Sequence, residues 1–491
     1  MLKVVRYTIL YFSISMFFLG VIFSNTNVLL LAICGMLAHN ICYSCERFSK
    51  RIIFFAFNGT FFTFLIARLV VKPLFGYYDK YNNNYYGLDF DNQHVVWVIF
   101  ICLFISLLFL FIGYFIIKIN KAKIKTSKKF FWGDNTEVIA FVSKILFYFT
   151  YVFNVLVLWD KAKFTSNYGY MELYSSYTSS FPLWVVKLSE MCPSALFVYL
   201  GTLPSKRKCV LPLSLYILSG VLSLIVGQRN NFVLNILIVL IYFGLRNITD
   251  KDEIWLGKKE IISCICAFPV LILILNAVSY FRMGNEVENS FIGGILEFFY
   301  TQGVSVNLIG YAQTLADQLP GKCYTFGRII DFINNNVITQ TLFNVPKYKP
   351  QSVESALYGN SFADSVSYIL SPHRYIKGWG YGSSYIAELY KDFGYFGVII
   401  GNFSLGIILA LMTRLFRKGI LGVWMCLSMT RLLLYAPRDT FTSFIVSTFS
   451  LVNILTLFLI FLSVLILGGR KRKTSSVDGL LIAKNVKISQ K

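Results

Sequence analysis

The chain is dominated by unbroken apolar runs of about 20 residues, the length a helix needs to cross a bilayer. Twelve such runs fall roughly at 7–23, 28–44, 52–71, 95–117, 136–159, 183–203, 209–227, 231–246, 260–280, 384–413, 419–436 and 441–468. They do not alternate in polarity, which excludes a membrane β-barrel. In lipid only helices then satisfy the backbone. Charged residues make up 14% of the 491 residues, too few to cover a soluble fold of that size. High hydrophobicity excludes disorder. The fold class is an all-α polytopic membrane protein with about twelve transmembrane helices. No small-residue cleavage site follows the first run, so it reads as an uncleaved anchor.

Net charge is +22, which in a soluble protein would suggest nucleic acid. Here the charges sit in short loops between apolar runs, and no nucleic-acid partner is expected. An anionic lipid substrate and plain membrane topology both account for basic loops. With the N-terminus inside, inner segments carry 28 Lys and Arg and the short outer loops six. That asymmetry satisfies the positive-inside rule and predicts both termini in the cytoplasm. The predicted organisation is nine spans in 1–280, one large outer loop over 281–383, three spans in 384–468 and a basic tail at 469–491. Within the loop, Phe291 to Ala312 is expected to be a helix on or dipping into the membrane, with Phe291, Ile295, Phe298 and Phe299 on one side. Asn334 to Asn336 and Pro346 to Pro350 read as turns, and Gly378 to Gly382 as a flexible strip. Nine tyrosines crowd the loops at 72–94 and 160–182. They suit headgroup anchoring or stacking on sugars.

Cations near the outer ends of spans are the informative ones, because ionisable groups there are costly. Arg229 lies in the turn Gly227-Gln228-Arg229-Asn230-Asn231, at the start of a helix. Unpaired amides and the helix dipole would add to its guanidinium as a phosphate site; the alternative is an Arg reaching for headgroups. Arg282 follows the ninth span, Arg438 sits in the turn after the eleventh, and His373 and Arg374 precede the glycine strip. Together four arginines could hold phosphate oxygens in pairs, as a planar guanidinium does. Glu388, at the start of the tenth span, could be a general base or an acid answering the helix dipole. Lys187 and Glu190 have the spacing of an intramembrane ion pair. Arg68 and Arg431 either position substrate or brace the bundle. No P-loop, GxSxG or DxD-type pair is present. Cys42 and Cys45 have no second pair, and the chain has three histidines. No metal and no cofactor is expected.

These features resemble the Wzy-type O-antigen polymerases, which join oligosaccharide repeat units of bacterial surface polysaccharides. The matching stretches are Gly227-Gln228-Arg229, Glu297 through Ser305, Gly382 through Tyr390 and on to Gly394, and Pro437-Arg438. Span number and the long late loop match as well. The resemblance implies a GT-C-like, metal-independent glycosyltransferase in the bacterial inner membrane, with its large loop in the periplasm. It would move a growing glycan from one undecaprenyl-diphosphate carrier onto a second carrier-linked repeat unit. Partners would be that lipid-linked oligosaccharide, membrane lipid and a chain-length regulator protein. The implied roles are diphosphate binding by Arg229, Arg282, Arg374 and Arg438, with Glu388 or His373 as base. Asp439 departs from the family pattern, since it could pair with Arg438. An O-antigen ligase or a lipid-linked oligosaccharide flippase or transporter are the alternatives; the lopsided loop argues against the last.

Overall fold

A computed structural model of the chain describes residues 2–79, 82–117, 135–250, 252–283, 290–334, 339, 341–342, 346 and 348–467. Among these it is all helix, and twelve helices are long and apolar enough to cross a membrane. The first five helices are α1 (Leu2–Ile22), α2 (Thr26–Cys45), α3 (Phe48–Phe61), α4 (Ala67–Phe75) and α5 (Gln93–Ile116). A π-turn, Phe62–Ile66, joins α3 to α4 into one span. Then come α6 (Thr136–Tyr168), α7 (Glu172–Ser175), α8 (Leu183–Gly201), α9 (Lys206–Ile225), α10 (Arg229–Thr249) and α11 (Lys258–Met283). The starts are chemically marked. Asn25 accepts hydrogen bonds from the N–H groups of Asn27 and Val28, and Asn92 from that of His94. Such side chains satisfy the orphan donors of a first turn.

Between α11 and the next span the described residues include the short helices α12 (Phe291–Gln302), α13 (Asn307–Thr314), α14 (Gly327–Asn334), α15 (Val353–Tyr358), α16 (Phe362–Leu370) and α17 (Pro372–Ile376). The expected single helix from Phe291 to Ala312 is divided by a 3₁₀ turn at Gly303–Val306. At that turn Gly303 lies against the backbone of Arg68. Phe298 does turn inward, packing with Ile272 and Leu275 of α11, while Phe291 is exposed. Tyr324, Phe362 and Val366 are buried in the same core as the spans. The chain then enters α18 (Tyr385–Leu415), α19 (Ile420–Leu433), α20 (Ser443–Thr448) and a final helix, α21, over 451–467. The turns expected at 334–336 and 346–350 fall partly outside the described residues.

The centre of the bundle is the pair α5 and α18. Gly113 meets the carbonyl of Phe403, and Gly406 meets that of Leu110, so the two backbones touch. Small residues permit this approach where lipid gives helices no hydrophobic reason to associate. Asn402 donates to Ser106 at 3.0 Å and accepts from Tyr385 at 2.7 Å, pinning the pair. Asn40 of α2 reaches Asn58 of α3 at 3.1 Å and the Leu107 carbonyl of α5 at 3.2 Å.

The two ends of the bundle differ. At one, ion pairs close the helices: Arg6 and Arg51 hold Glu46 at 2.9 and 3.1 Å, Arg246 holds Asp250 at 2.8 Å, and Lys206 holds Glu260 at 3.1 Å. At the other, the 76–92 connection, the α12–α17 segment and the 434–442 turn meet, and the arginines there face carbonyls and rings.

Candidate functional site

The turn after α19 carries Arg438. Pro437 has no N–H to donate, so α19 stops and the chain tightens into a 3₁₀ turn over Ala436–Arg438. The Arg438 N–H donates to the Tyr435 carbonyl at 2.8 Å. Its guanidinium donates to Gln302 Oε1 at 3.2 Å and lies 5.8 Å from the centre of the Phe64 ring. Tyr435 packs edge-on to the same Phe64 at 5.6 Å. Its hydroxyl accepts from Asn230 at 2.5 Å, which ties the turn to the start of α10.

Arg229 is the first residue of α10. Gly227 takes φ of +91°, a conformation that suits glycine and makes the α9–α10 reversal tight. Arg229 donates to the Leu275 carbonyl of α11 at 3.2 Å. Two residues on, Asn231 accepts from Arg431 at 3.0 Å. Arg68 completes the group. It follows the π-turn, a device that re-aims the residues behind it. It is buried, with its guanidinium 4.0 Å over the Tyr300 ring and its Nε donating to the Gly87 carbonyl. Gly303, next to Gln302, packs on the Arg68 backbone. Chain neighbours thus link the three arginines across distant parts of the sequence: Gly303, beside Gln302, packs on Arg68, and Asn230, beside Arg229, bonds Tyr435 three residues before Arg438.

Asp439 does not form an ion pair with Arg438. Burial pushes its carboxyl up, while the Thr440 N–H, Ser443 and the nearby Arg328 of α14 offset part of the rise.

Glu388 is wholly buried in the first turn of α18. Ser383 Oγ donates to its Oε1 at 2.7 Å and the Phe441 N–H to its Oε2 at 2.9 Å. The carboxylate therefore clamps the 435–442 turn to the head of α18. His373 and Arg374 lie exposed on the five-residue α17, with Arg374 6.0 Å from the Trp379 ring. Among the described residues they stand outside the contacts that join Arg229 to Arg438. Arg282 falls in the last turn of α11, and its side chain lies outside the described residues. Lys187 and Glu190 form the expected pair at 2.9 Å. Several loop tyrosines are structural: Tyr86 bonds Thr26 and Asn27 at 2.7 Å, and Tyr177 bonds Asp160 at 2.7 Å.

Sequence reasoning missed Arg328 and the role of Gln302. Arg328 sits among other cations of the long loop with nothing local to mark it; Gln302 lies in the matching stretch Glu297 through Ser305, but its partner Arg438 is 136 residues away.

Such an arrangement, guanidinium groups at one end of a helical bundle beside an open helix start, is suited to an anion that carries several oxygens. A family model described as O-antigen polysaccharide polymerase Wzy matches residues 5–471. No curated protein and no solved structure matches the chain.

Proposed function

The chain belongs to the O-antigen polysaccharide polymerase Wzy family, and on that premise we propose that its arginine-lined end binds the diphosphate of a lipid-linked glycan and releases it during transfer. The protein is a multi-pass membrane protein, and this end would face the periplasm. The donor would be a glycan on undecaprenyl diphosphate and the acceptor a hydroxyl of a second carrier-linked repeat unit. The bond from the donor sugar carbon to the diphosphate oxygen breaks, and the diphosphate leaves with the electron pair. The acceptor oxygen bonds that carbon and gives up its proton. Fixed cations at the leaving oxygens stabilise the charge as it develops, without reorganisation. That role needs no metal.

The observation that carries this reading is the tie between the two turns: Asn230, next to Arg229, donates to the Tyr435 hydroxyl, and the Tyr435 carbonyl accepts the Arg438 N–H. Two guanidinium groups carried on turns tied in this way could share a diphosphate. Arg374 and Arg282 remain candidates for the same anion as it enters. Glu388 suits a positioning role, because burial and two donors keep it from an acceptor hydroxyl. Of the two proposed bases, exposure leaves His373 as the one able to meet substrate.

Glycan laddering on gels tests the reading. Arg438→Ala should remove long chains while one repeat remains, with transfer in purified protein falling about tenfold to a hundredfold, the worth of one charge-assisted contact. Arg438→Lys should recover part of it, since an ammonium cannot hold two oxygens in one plane. EDTA should leave transfer intact. Normal ladders from Arg438→Ala, or activity lost to EDTA and restored by magnesium, would refute it. Loss of all repeats would instead mean a flippase, and carrier-bound long chains a ligase.

A further inference from the structure

A cavity of about 390 Å³ lies between α8, α19 and the last span, apart from the Arg68–Arg229–Arg438 group. Its walls carry two guanidinium groups, Arg431 of α19 and Arg328 of α14. The acid in its wall, Glu190, is engaged by Lys187.

The last span is interrupted at this point. Its apolar stretch runs from Ser443 to Leu467, yet α20 stops at Thr448 and α21 restarts at 451. Irregular backbone at membrane depth is tolerated where it is buried in protein or lines a watery cavity. Thr448, Ser450 and Asn453, on either side of the break, line this one. Asn453 Nδ2 donates to the carbonyls of Ser447 and Thr448 at 2.9 and 3.2 Å, which satisfies the broken end of α20. The start of α21, where Ser450 Oγ accepts from the Asn453 N–H at 3.5 Å, brings its positive dipole end to the cavity wall. Thr448 is fully buried, and its hydroxyl has no hydrogen-bond partner; neither has the buried Nε of Arg431. Two guanidinium groups, a helix start and the residues of the break therefore line one half-open cavity. Beside it, Ile445, Leu451 and Ile454 are exposed, an apolar flank for a lipid tail.

We propose that this cavity holds the phosphate or diphosphate head of a second lipid-linked substrate. The inference rests on the polymerase reading: joining two carrier-linked glycans brings two lipid diphosphates to one chain, and the Arg229–Arg438 pair accommodates one of them. Arg431 connects the two sites, because it lines the cavity and also bonds Asn231, two residues from Arg229.

The test uses the full chain in phosphatidylcholine nanodiscs, with a sugar-free polyprenyl diphosphate as probe and native mass spectrometry to count bound molecules. The wild-type chain should hold two. Arg328→Glu should hold one, with the lost site weakened about tenfold or more. Arg328 is exposed on a short helix but also acts on Asp439 beside Arg438. Arg328→Gln, which adds no like charge there, is therefore run beside Arg328→Glu and should also hold one; two molecules on it overturn the proposal. Arg431 is left alone because it also braces α10. Arg438→Ala should hold the other one, and the double variant none. A single molecule on the wild-type chain, or two on Arg328→Glu, overturns the proposal. Equal competition by inorganic diphosphate would make the cavity a site for soluble anions, and equal competition by phosphatidylglycerol a site for ordinary headgroups; either overturns it. If Arg328→Glu loses one molecule while Arg438→Ala loses none, the cavity stands and the Arg229–Arg438 site falls.

Discussion

At Glu388 the carboxylate has both oxygens occupied, one by a hydroxyl and one by a backbone N–H. Two outcomes of mutation separate a clamp from a base. Glutamine can turn its carbonyl to the Phe441 N–H and its amide to the Ser383 oxygen, so Glu388→Gln should polymerise within a few-fold of wild type. Glu388→Ala leaves both buried groups without a partner, at about 1–3 kcal/mol each. It should lower the melting temperature in detergent and shorten the ladder. Abolished transfer in a stable Glu388→Gln protein would restore the catalytic role. His373→Ala, on exposed α17, should cost transfer but not stability; if transfer is unchanged, the acceptor proton goes elsewhere. Arg229 and Arg438 were legible in the sequence because span ends are read directly from hydropathy. Arg438's partner, Gln302, was not, because the two meet only after the bundle assembles.

Among the elements, the junction of α12 with the α3–α4 span has little tolerance. A Cβ on Gly303 would lie 2.5 Å from the Arg68 Cβ and 2.7 Å from its backbone nitrogen. The backbone of a packed span cannot give way by that much. Gly303→Ala should therefore push α12 outward and carry Gln302 away from Arg438. Overpacking of this kind costs about 1–3 kcal/mol. Thermal unfolding in detergent should show the loss and gels a shortened ladder; an unchanged melting temperature would deny the contact. The spans themselves were legible, and their observed ends mostly fall within a few residues of the expected ones. Their interruptions were not. The π-turn at Phe62–Ile66, the positive φ of Gly394 and the break at 449–450 all lie inside stretches that hydropathy reads as single spans. Lipid demands apolar side chains whether the backbone bonds at i+4, at i+5 or not at all, so the pattern is blind to them.

For the whole molecule, the charge distribution sets which end faces out. The end closed by Arg6, Glu46 and Arg51 should be cytoplasmic, and the arginine-lined end periplasmic. In a background without native cysteines, an impermeant thiol reagent applied from outside should label Pro350→Cys and spare Lys125→Cys. The reverse pattern would turn the bundle over and place the arginines on the wrong side for a periplasmic acceptor. The clamp from Glu388 to Phe441 has a further consequence for the order of biosynthesis. A nascent chain that has emerged only as far as α11 already owns Arg68 and Arg229 but has nothing to set against them. Arg438 and the carboxylate that fixes its turn arrive with the last quarter of translation. Until the final span enters the bilayer the chain should be inserted but inert, and a product truncated before residue 441 should occupy the membrane without building long chains.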